Sequence, residues 1–449
     1  MAFAPQQAIL ELGDGFYDPV APARFPQTIL RFRNDRAAAT VGLEGLSDAE
    51  WIAYFARFQP LSGSLPQPLA LRYHGHQFRV YNPEIGDGRG FLFAQMTDRD
   101  GQLMDLGTKG SGQTPHSRFG DGRLTLKGGV REILATEMLE ALGVSTSRTF
   151  SLIETGESLN RGDEPSPTRS AVLVRLNHGH IRIGTFQRLA YFQDEEGLRK
   201  LTAYVLRHYY GEQDGPDAAQ RLLAHVVART ARMAGQFMAA GFVHGVLNSD
   251  NINVTGESFD YGPWRFTPSW AANFTAAYFD HAGLYAFGRQ PEAIYWDVMQ
   301  LAISLRLIAE EAPLIAALEG FAPAYHREEA DAVLWRLGIQ PRDDASDRAL
   351  TEAVEVALSQ TGTLLHRFYF DAFGGNLPDQ YGSDFDEVRS RLADYRPRKA
   401  RDHGYWRGEP CGMLIDEVES LWSAIADRDD WGPLTAKIAA IRHMGEALA

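Results

Sequence analysis

The sequence predicts an α+β protein of two lobes, a strand-rich one first and a helical one after it. Three observations carry that prediction. Short apolar runs bounded by glycine turns recur in residues 61–190, among them Phe91-Leu92-Phe93-Ala94-Gln95-Met96, Leu103 to Thr108 and Ala171 to Leu176. From Ala218 to Ala240 the spacing becomes helical: Leu222, Leu223, Val226, Val227, Ala234, Phe237 and Met238 recur three, four and seven apart, and Gly241 is a natural stop. Directly after that stop the chain turns polar, His244-Gly245-Val246-Leu247-Asn248-Ser249-Asp250-Asn251, and a second acceptor-rich turn follows at Asp260-Tyr261-Gly262.

In chain order, residues 1–60 are mixed and proline-spaced and are expected to be an N-terminal extension. They hold one short aromatic helix over Asp48–Phe58, with Ser47 as N-cap and Glu50 completing a capping box. Residues 61–190 form the expected first lobe. Arg72-Tyr73-His74-Gly75-His76-Gln77-Phe78 leads into the glycine-rich turn Gly86-Asp87-Gly88-Arg89-Gly90, which can set backbone N–H groups against phosphates with Arg89 adding charge. A Gly-Asp-Gly triplet also serves in ordinary hairpin turns. The Leu103–Thr108 strand ends at Lys109, the candidate for a strand lysine that pairs with phosphate oxygens and a helical glutamate. Gly120-Asp121-Gly122-Arg123 then repeats the earlier tetrapeptide. A helix is expected from about Gly129 to Leu142, stopped by Gly143; of its Glu132 and Glu137, Glu132 is the favoured partner of Lys109. Gly156 to Ser170 reads as a mobile loop. Ala171–Leu176 and Ile181–Phe186 read as a hairpin whose Arg175 and Arg182 share a face, where two guanidinium forks clamp polyphosphate or are merely solvated.

Residues 191–310 form the expected second lobe. Ile252, Val254 and Phe259 suggest a hairpin turning at Gly256. Residues 263–290 read as an ordered, aromatic segment, and Ala293–Leu307 as a buried helix. Residues 311–449 are expected to be the helical C-terminal part of that lobe, with helices over Asp347–Gln360 and Leu414–Ile425, a basic solvated linker over Arg396–Arg407, and no chemistry after about residue 300.

Composition narrows the function classes. The chain has 449 residues, 44% hydrophobic and 23% charged, with 44 Lys+Arg against 58 Asp+Glu and a formal net charge of −14. That balance argues against nucleic acid or an anionic membrane as the main partner. Cys411 is the single cysteine, which excludes an intrachain disulfide and a cysteine-built metal centre. No apolar run approaches the ~18 residues of a spanning helix. The first residues lack a basic leader, and Glu11 and Asp14 follow soon after, so a cytoplasmic location is expected.

The polar loop and the Asp260 turn fit the two metal positions of a kinase-type phosphotransferase, in which an Asn closes the catalytic loop and an Asp-x-Gly turn follows about a dozen residues later. On that frame His244 takes the His position, Asn251 the metal Asn and Asp260 the turn Asp, while Val246 occupies the place of the catalytic Asp. Valine cannot accept a proton. Three readings follow: an enzyme that uses another base, an ordinary kinase with Asp250 standing in, or an inactive nucleotide-binding scaffold.

The motifs Tyr73-His74-Gly75-His76-Gln77-Phe78, Gly86-Asp87-Gly88-Arg89, Lys109-Gly110-Ser111-Gly112-Gln113-Thr114-Pro115, Ser117 to Arg123, His244 to Asn251, and Asp260-Tyr261-Gly262-Pro263 together resemble the selenoprotein O family of protein adenylyltransferases. The resemblance runs over roughly residues 65–310 and extends to Tyr285-Ala286-Phe287 and Gln290-Pro291. It implies a bilobal protein-kinase-like fold with N- and C-terminal extensions that binds ATP inverted and transfers AMP to Ser, Thr or Tyr hydroxyls of proteins, its own chain included. It implies an ion pair of Lys109 with Glu132 and a proton acceptor at Asp250. Nucleotide contacts fall to Gly86, Gly88, Arg89, Lys109, Asp121, Gly122, Arg175, Arg182 and Asp260, and Asn251 and Asp260 are the Mg²⁺ ligands, with Mn²⁺ as the alternative ion. Members commonly carry a selenocysteine or cysteine near the C-terminus; residues 263–290 and 444–449 have neither, which argues against a redox switch of that kind.

Overall fold

Alternation along one strand divides the first lobe into two faces. In the computed structural model, which describes residues 2–162 and 164–449, Val172, Val174 and Leu176 point to one side of a sheet, and Ala171 and Leu173 to the other. The strands are β1 (Pro5–Gln6), β2 (Tyr17–Pro19), β3 (Ile29–Arg33), β4 (Leu69–Leu71), a small hairpin of β5 (Gly75–Gln77) and β6 (Val80–Asn82), then β7 (Leu92–Thr97), β8 (Leu103–Lys109), β9 (Leu124–Thr125), β10 (Arg148–Leu159) and β11 (Thr168–Asn177). Apart from the β5–β6 hairpin they form one nine-stranded sheet ordered β2-β4-β7-β8-β11-β10-β3, with β1 on β7 and β9 on β11. Residues ahead of 61 thus supply three of its strands.

Helices α1 (Asp35–Thr40) and α2 (Asp48–Phe55) cover the first face. The Ser47–Glu50 capping box starts α2, and Trp51 stacks on Phe150 of β10 with ring centroids 4.9 Å apart. Helix α3 (Leu126–Ala141) covers the other face through Val130, Ile133 and Leu134. It begins a turn earlier than the expected Gly129, because the Thr125 side chain caps it by accepting from the Gly128 N–H.

The second lobe gathers around α6 (Ala218–Ala240), which closes on Gly241 in the left-handed conformation. Ahead of it lie α4 (Ile183–Tyr191) and α5 (Glu195–Tyr210); behind it the short ladder of β12 (Phe242–Val243) and β13 (Arg265–Phe266) leads to α7 (Gln290–Leu305). Helices α8 (Glu311–Glu319), α9 (Phe321–Leu337), α10 (Asp344–Thr361), α11 (Leu365–Ala372) and α12 (Asp386–Leu392) follow, and α13 (Ile415–Arg428) and α14 (Gly432–Leu448) cross back to α3. Among the described residues no helix is long and apolar enough to cross a membrane.

Four local expectations are corrected. The expected Ala171–Phe186 hairpin is absent: β11 pairs with β10 and β8, and Ile183 opens a helix, its Ile183, Phe186 and Leu189 three apart. Gly184 permits this, since a Cβ there would stand 2.1 Å from the His74 carbonyl oxygen. The loop expected over residues 156–170 shrinks to 160–167, because β10 runs on to Leu159; Asp163 lies outside the described residues. Ile252, Val254 and Phe259 do not pair with each other, as Asn253 bridges to Arg182 and Ser258 to Thr146. Residues 396–407 are no solvated linker: Tyr405 and Trp406 are buried, Arg401 lies over the Trp406 ring, and Arg398 donates to the Leu448 carbonyl at the end of α14.

Candidate active site

The polar loop after α6 is fixed from three sides. His244 donates its Nε2–H to the Phe259 carbonyl at 3.0 Å and its backbone N–H to Gln290 Oε1 of α7. Burial lowers the pKa of His244, which favours the neutral ring, and the Phe259 carbonyl, able only to accept, selects the Nε2–H tautomer. Asn248 Oδ1 accepts from the Phe78 N–H (3.0 Å) and the Tyr285 hydroxyl (2.6 Å), and Ser249 Oγ accepts from the His76 N–H (2.8 Å). The Tyr73–Phe78 motif therefore clamps the loop from the first lobe. Asn251 donates its Nδ2–H to the Val246 carbonyl at 3.0 Å, which leaves Asn251 Oδ1 as an acceptor.

Across the cleft stands Asp260, whose φ of +64° is strained for a residue other than glycine. Its Oδ1 lies 2.8 Å from Lys109 Nζ and 3.3 Å from Arg175 Nη1, and Lys109 pairs at the same time with buried Glu132 of α3. Burial works to raise the Asp260 carboxyl; Lys109, Arg175, Arg182 and Arg89 outweigh it and hold it well below the usual carboxylate range. Glu137 does not compete for Lys109, because Arg442 of α14 holds it with Nε 2.8 Å from Oε2.

Arg175 and Arg182 reach the site from a strand and from the residue ahead of a helix, both only 4% exposed. Both lie over Phe259, with the Arg175 guanidinium 4.9 Å and the Arg182 guanidinium 5.0 Å from its ring centroid. Arg182 is also over Tyr73, 4.3 Å from its centroid, donates to Asp87 Oδ1 at 3.1 Å and to the Asp250 carbonyl at 3.2 Å. Phe259, Tyr73 and Asp87 were not singled out as site residues in the sequence. The signal for Phe259 lay in its place beside Asp260, facing two arginines that no local pattern brings together.

The resulting cavity measures about 620 Å³. Gly86, Gly88, Arg89, Lys109, Asp121, Gly122, Arg175, Arg182, Asp250 and Asp260 all line it; Glu132 stands behind Lys109, and Asn251 one residue behind Asp250, off the wall. Both Gly-Asp-Gly-Arg turns meet in this one cavity, yet they differ in their bonds. Asp121 is held by Arg161 Nη1 at 2.8 Å and Arg123 by Glu157, whereas Arg89 makes no ion pair among the described residues. Gly122, at φ +69°, has no room for a side chain, since a Cβ would fall 2.2 Å from the Gly112 carbonyl carbon. The structure therefore brings seven Lys and Arg side chains and four aspartates to one small space.

Asp250 differs from Asp260 in its surroundings. Its Oδ1 is buried without a hydrogen-bond partner among the described residues, and burial lifts its carboxyl to about 6, an effect that Arg182 opposes. Two carboxylates ten residues apart are thus pushed in opposite directions, an arrangement that can set a base apart from a cation ligand. Asp297 of α7, near Asp250, has both carboxylate oxygens buried without a partner among the described residues, and burial raises it well above the ordinary value.

The chain matches the family described as protein adenylyltransferase SelO over residues 1–402. It is 42% identical to a protein nucleotidyltransferase YdiU of Synechococcus elongatus, covering 99% of this chain and 96% of that one. A YdiU of a Synechocystis strain is 42% identical with 95% of each chain covered, and that of Aeromonas salmonicida 36% identical over 78% of this chain and 72% of its own. A solved structure, ROP2 from Toxoplasma gondii, described as a virulence factor with a protein-kinase fold and no enzymatic activity, aligns at 12% identity over 74% of this chain and 94% of its own. The TM-score of that alignment is 0.28.

Proposed function

This chain belongs to the protein adenylyltransferase SelO family, and on that premise we propose that it transfers AMP from ATP to Ser, Thr or Tyr hydroxyls of proteins and releases pyrophosphate. The observation that carries this reading is the pairing of a surplus of cations with a displaced base. Lys109, Arg175 and Arg182 surround Asp260, and Arg89 adds a charge with no ion-pair partner among the described residues, while the position of a kinase's catalytic Asp holds Val246. Such cations suit the β- and γ-phosphates as a leaving group kept deep in the cavity, with the α-phosphorus turned toward the acceptor.

In this reading the acceptor hydroxyl gives its proton to the Asp250 carboxylate as its oxygen attacks the α-phosphorus. The bond from that phosphorus to the bridging oxygen breaks, and pyrophosphate leaves against Arg89, Arg175 and Arg182. Asn251 Oδ1 and Asp260 offer hard oxygen donors suited to Mg²⁺ or Mn²⁺, which would neutralise phosphate charge there. Lys109, positioned by Glu132, keeps Asp260 and the phosphates in register. Gly86, Gly88, Asp121 and Gly122 shape the turns that bring backbone to the nucleotide.

A direct test is mass spectrometry of an acceptor protein, or the chain itself, after incubation with ATP and Mg²⁺. An AMP adduct on a hydroxyl side chain is expected, absent from Asp260→Ala; adducts at full level in that variant would overturn the assignment of Asp260.

A further inference from the structure

We propose that His403, His443 and Glu446 form a binding site for a divalent metal of the zinc type, separate from the active site. Each residue offers one ligand atom, and the three atoms lie within 4.8 Å of one another. His443 and Glu446 are one turn apart on α14, and His403 comes from the strap at residues 396–407; its ring centroid lies 4.5 Å from that of His443. Tetrahedral zinc with bonds near 2.0–2.1 Å places its ligand atoms about 3.4 Å apart, so small rotations of the exposed His443 and Glu446 side chains close the site.

The bonds around the cluster leave it available. Among the described residues the His443 ring and the Glu446 carboxylate have no hydrogen-bond or ion-pair partner, and Lys399 binds only the Glu446 carbonyl. The one bond to give up is the long cap at 3.3 Å from the Tyr405 N–H to His403 Nδ1, since a metal-bound imidazole keeps its other nitrogen protonated. Two imidazoles and one carboxylate select a borderline ion such as Zn²⁺ over Mg²⁺ and leave a fourth position for water. The bound ion would staple the strap to α14, next to Arg442, which grips Glu137 on the helix that carries Glu132.

The test uses the full chain, freed of any affinity tag and stripped with a chelator. Zn²⁺ is titrated by calorimetry in millimolar Mg²⁺, which occupies oxygen-donor sites. One equivalent is expected to bind, to raise the unfolding temperature of the wild type, and to bind about tenfold or more weakly in His443→Ala and in Glu446→Gln. Co²⁺ should give the visible absorption of a tetrahedral site in the wild type alone. The metal-free unfolding temperature of His443→Ala should match that of the wild type, which separates lost binding from lost fold. Equal Zn²⁺ affinity in wild type and His443→Ala, or no binding by the wild type, would overturn the proposal.

Discussion

Arg442, seven residues from the end of the chain, meets Glu137 of α3 with Nε 2.8 Å from Oε2. Glu132 and Glu137 are five residues apart, which turns them about 140° from each other on a helix. One glutamate therefore faces the C-terminal helices and the other faces Lys109. Because the Glu137 side chain is 3% exposed and its other cation, Arg36, stands 3.8 Å off, Arg442→Ala should destabilise the protein by about 1–3 kcal/mol. Urea unfolding measures this, and an unchanged midpoint would mean that the pair contributes nothing.

Lys109 and Glu132 act as one unit in this geometry. Lys109→Ala and Glu132→Ala should each lower turnover, by about 10²-fold, and the double variant should be little worse than either single one. Losses that multiply would show that the two residues work independently.

The Asp250 carboxyl is lifted to about 6 by burial, and the proposed mechanism uses it as the carboxylate. Since protonation removes the base, kcat/KM should fall about tenfold per pH unit below roughly 6 and level off above it. Asp250→Asn should lose about 10²–10⁴-fold and lose this limb. A limb that persists in Asp250→Asn would assign it to another group.

Asp297 gives a prediction of opposite kind, on stability. Its carboxyl is raised by burial in the fold, so the unfolded chain ionises more readily. The stability it supports is present at pH values below the unfolded pKa, about 4, and is lost as pH rises toward the folded value. Asp297→Asn should raise the unfolding temperature by about 2 °C or more at pH 8 and leave it unchanged near pH 4. A loss of stability at pH 8 would show that the carboxylate is charged and held.

Much of this was legible in the sequence because it was local. The α6 span, its glycine stop and the Ser47 capping box depend on spacings within one element, and each lies where periodicity puts it. Strand β10 was hidden because Thr149, Ser151 and Thr155 are polar yet buried, their hydroxyls facing other parts of the fold instead of water. Arg182 stands ahead of a helix where a strand is expected, since Ile181-Arg182-Ile183 alternates like a strand while Ile183, Phe186 and Leu189 also fit a helix. Burial of that face against the second lobe decides for the helix. The two guanidiniums over the Phe259 ring and the Arg442–Glu137 pair join segments up to 305 residues apart, and no single-segment pattern encodes them.

The central claim is that the α-phosphorus of ATP reacts, and labelled ATP tests it most directly. The enzyme is incubated with Mg²⁺ and an acceptor protein, its own chain included, and with ATP labelled at either the α- or the γ-phosphate. In the proposed mechanism the cations around Asp260, Arg89, Arg175, Arg182 and Lys109, would hold the terminal phosphates, and Asp250 would take the acceptor proton. Label should therefore enter protein from the α position and not from the γ position. Incorporation from the γ position would make the protein a kinase, and tight ATP binding with label from neither position would make it a scaffold.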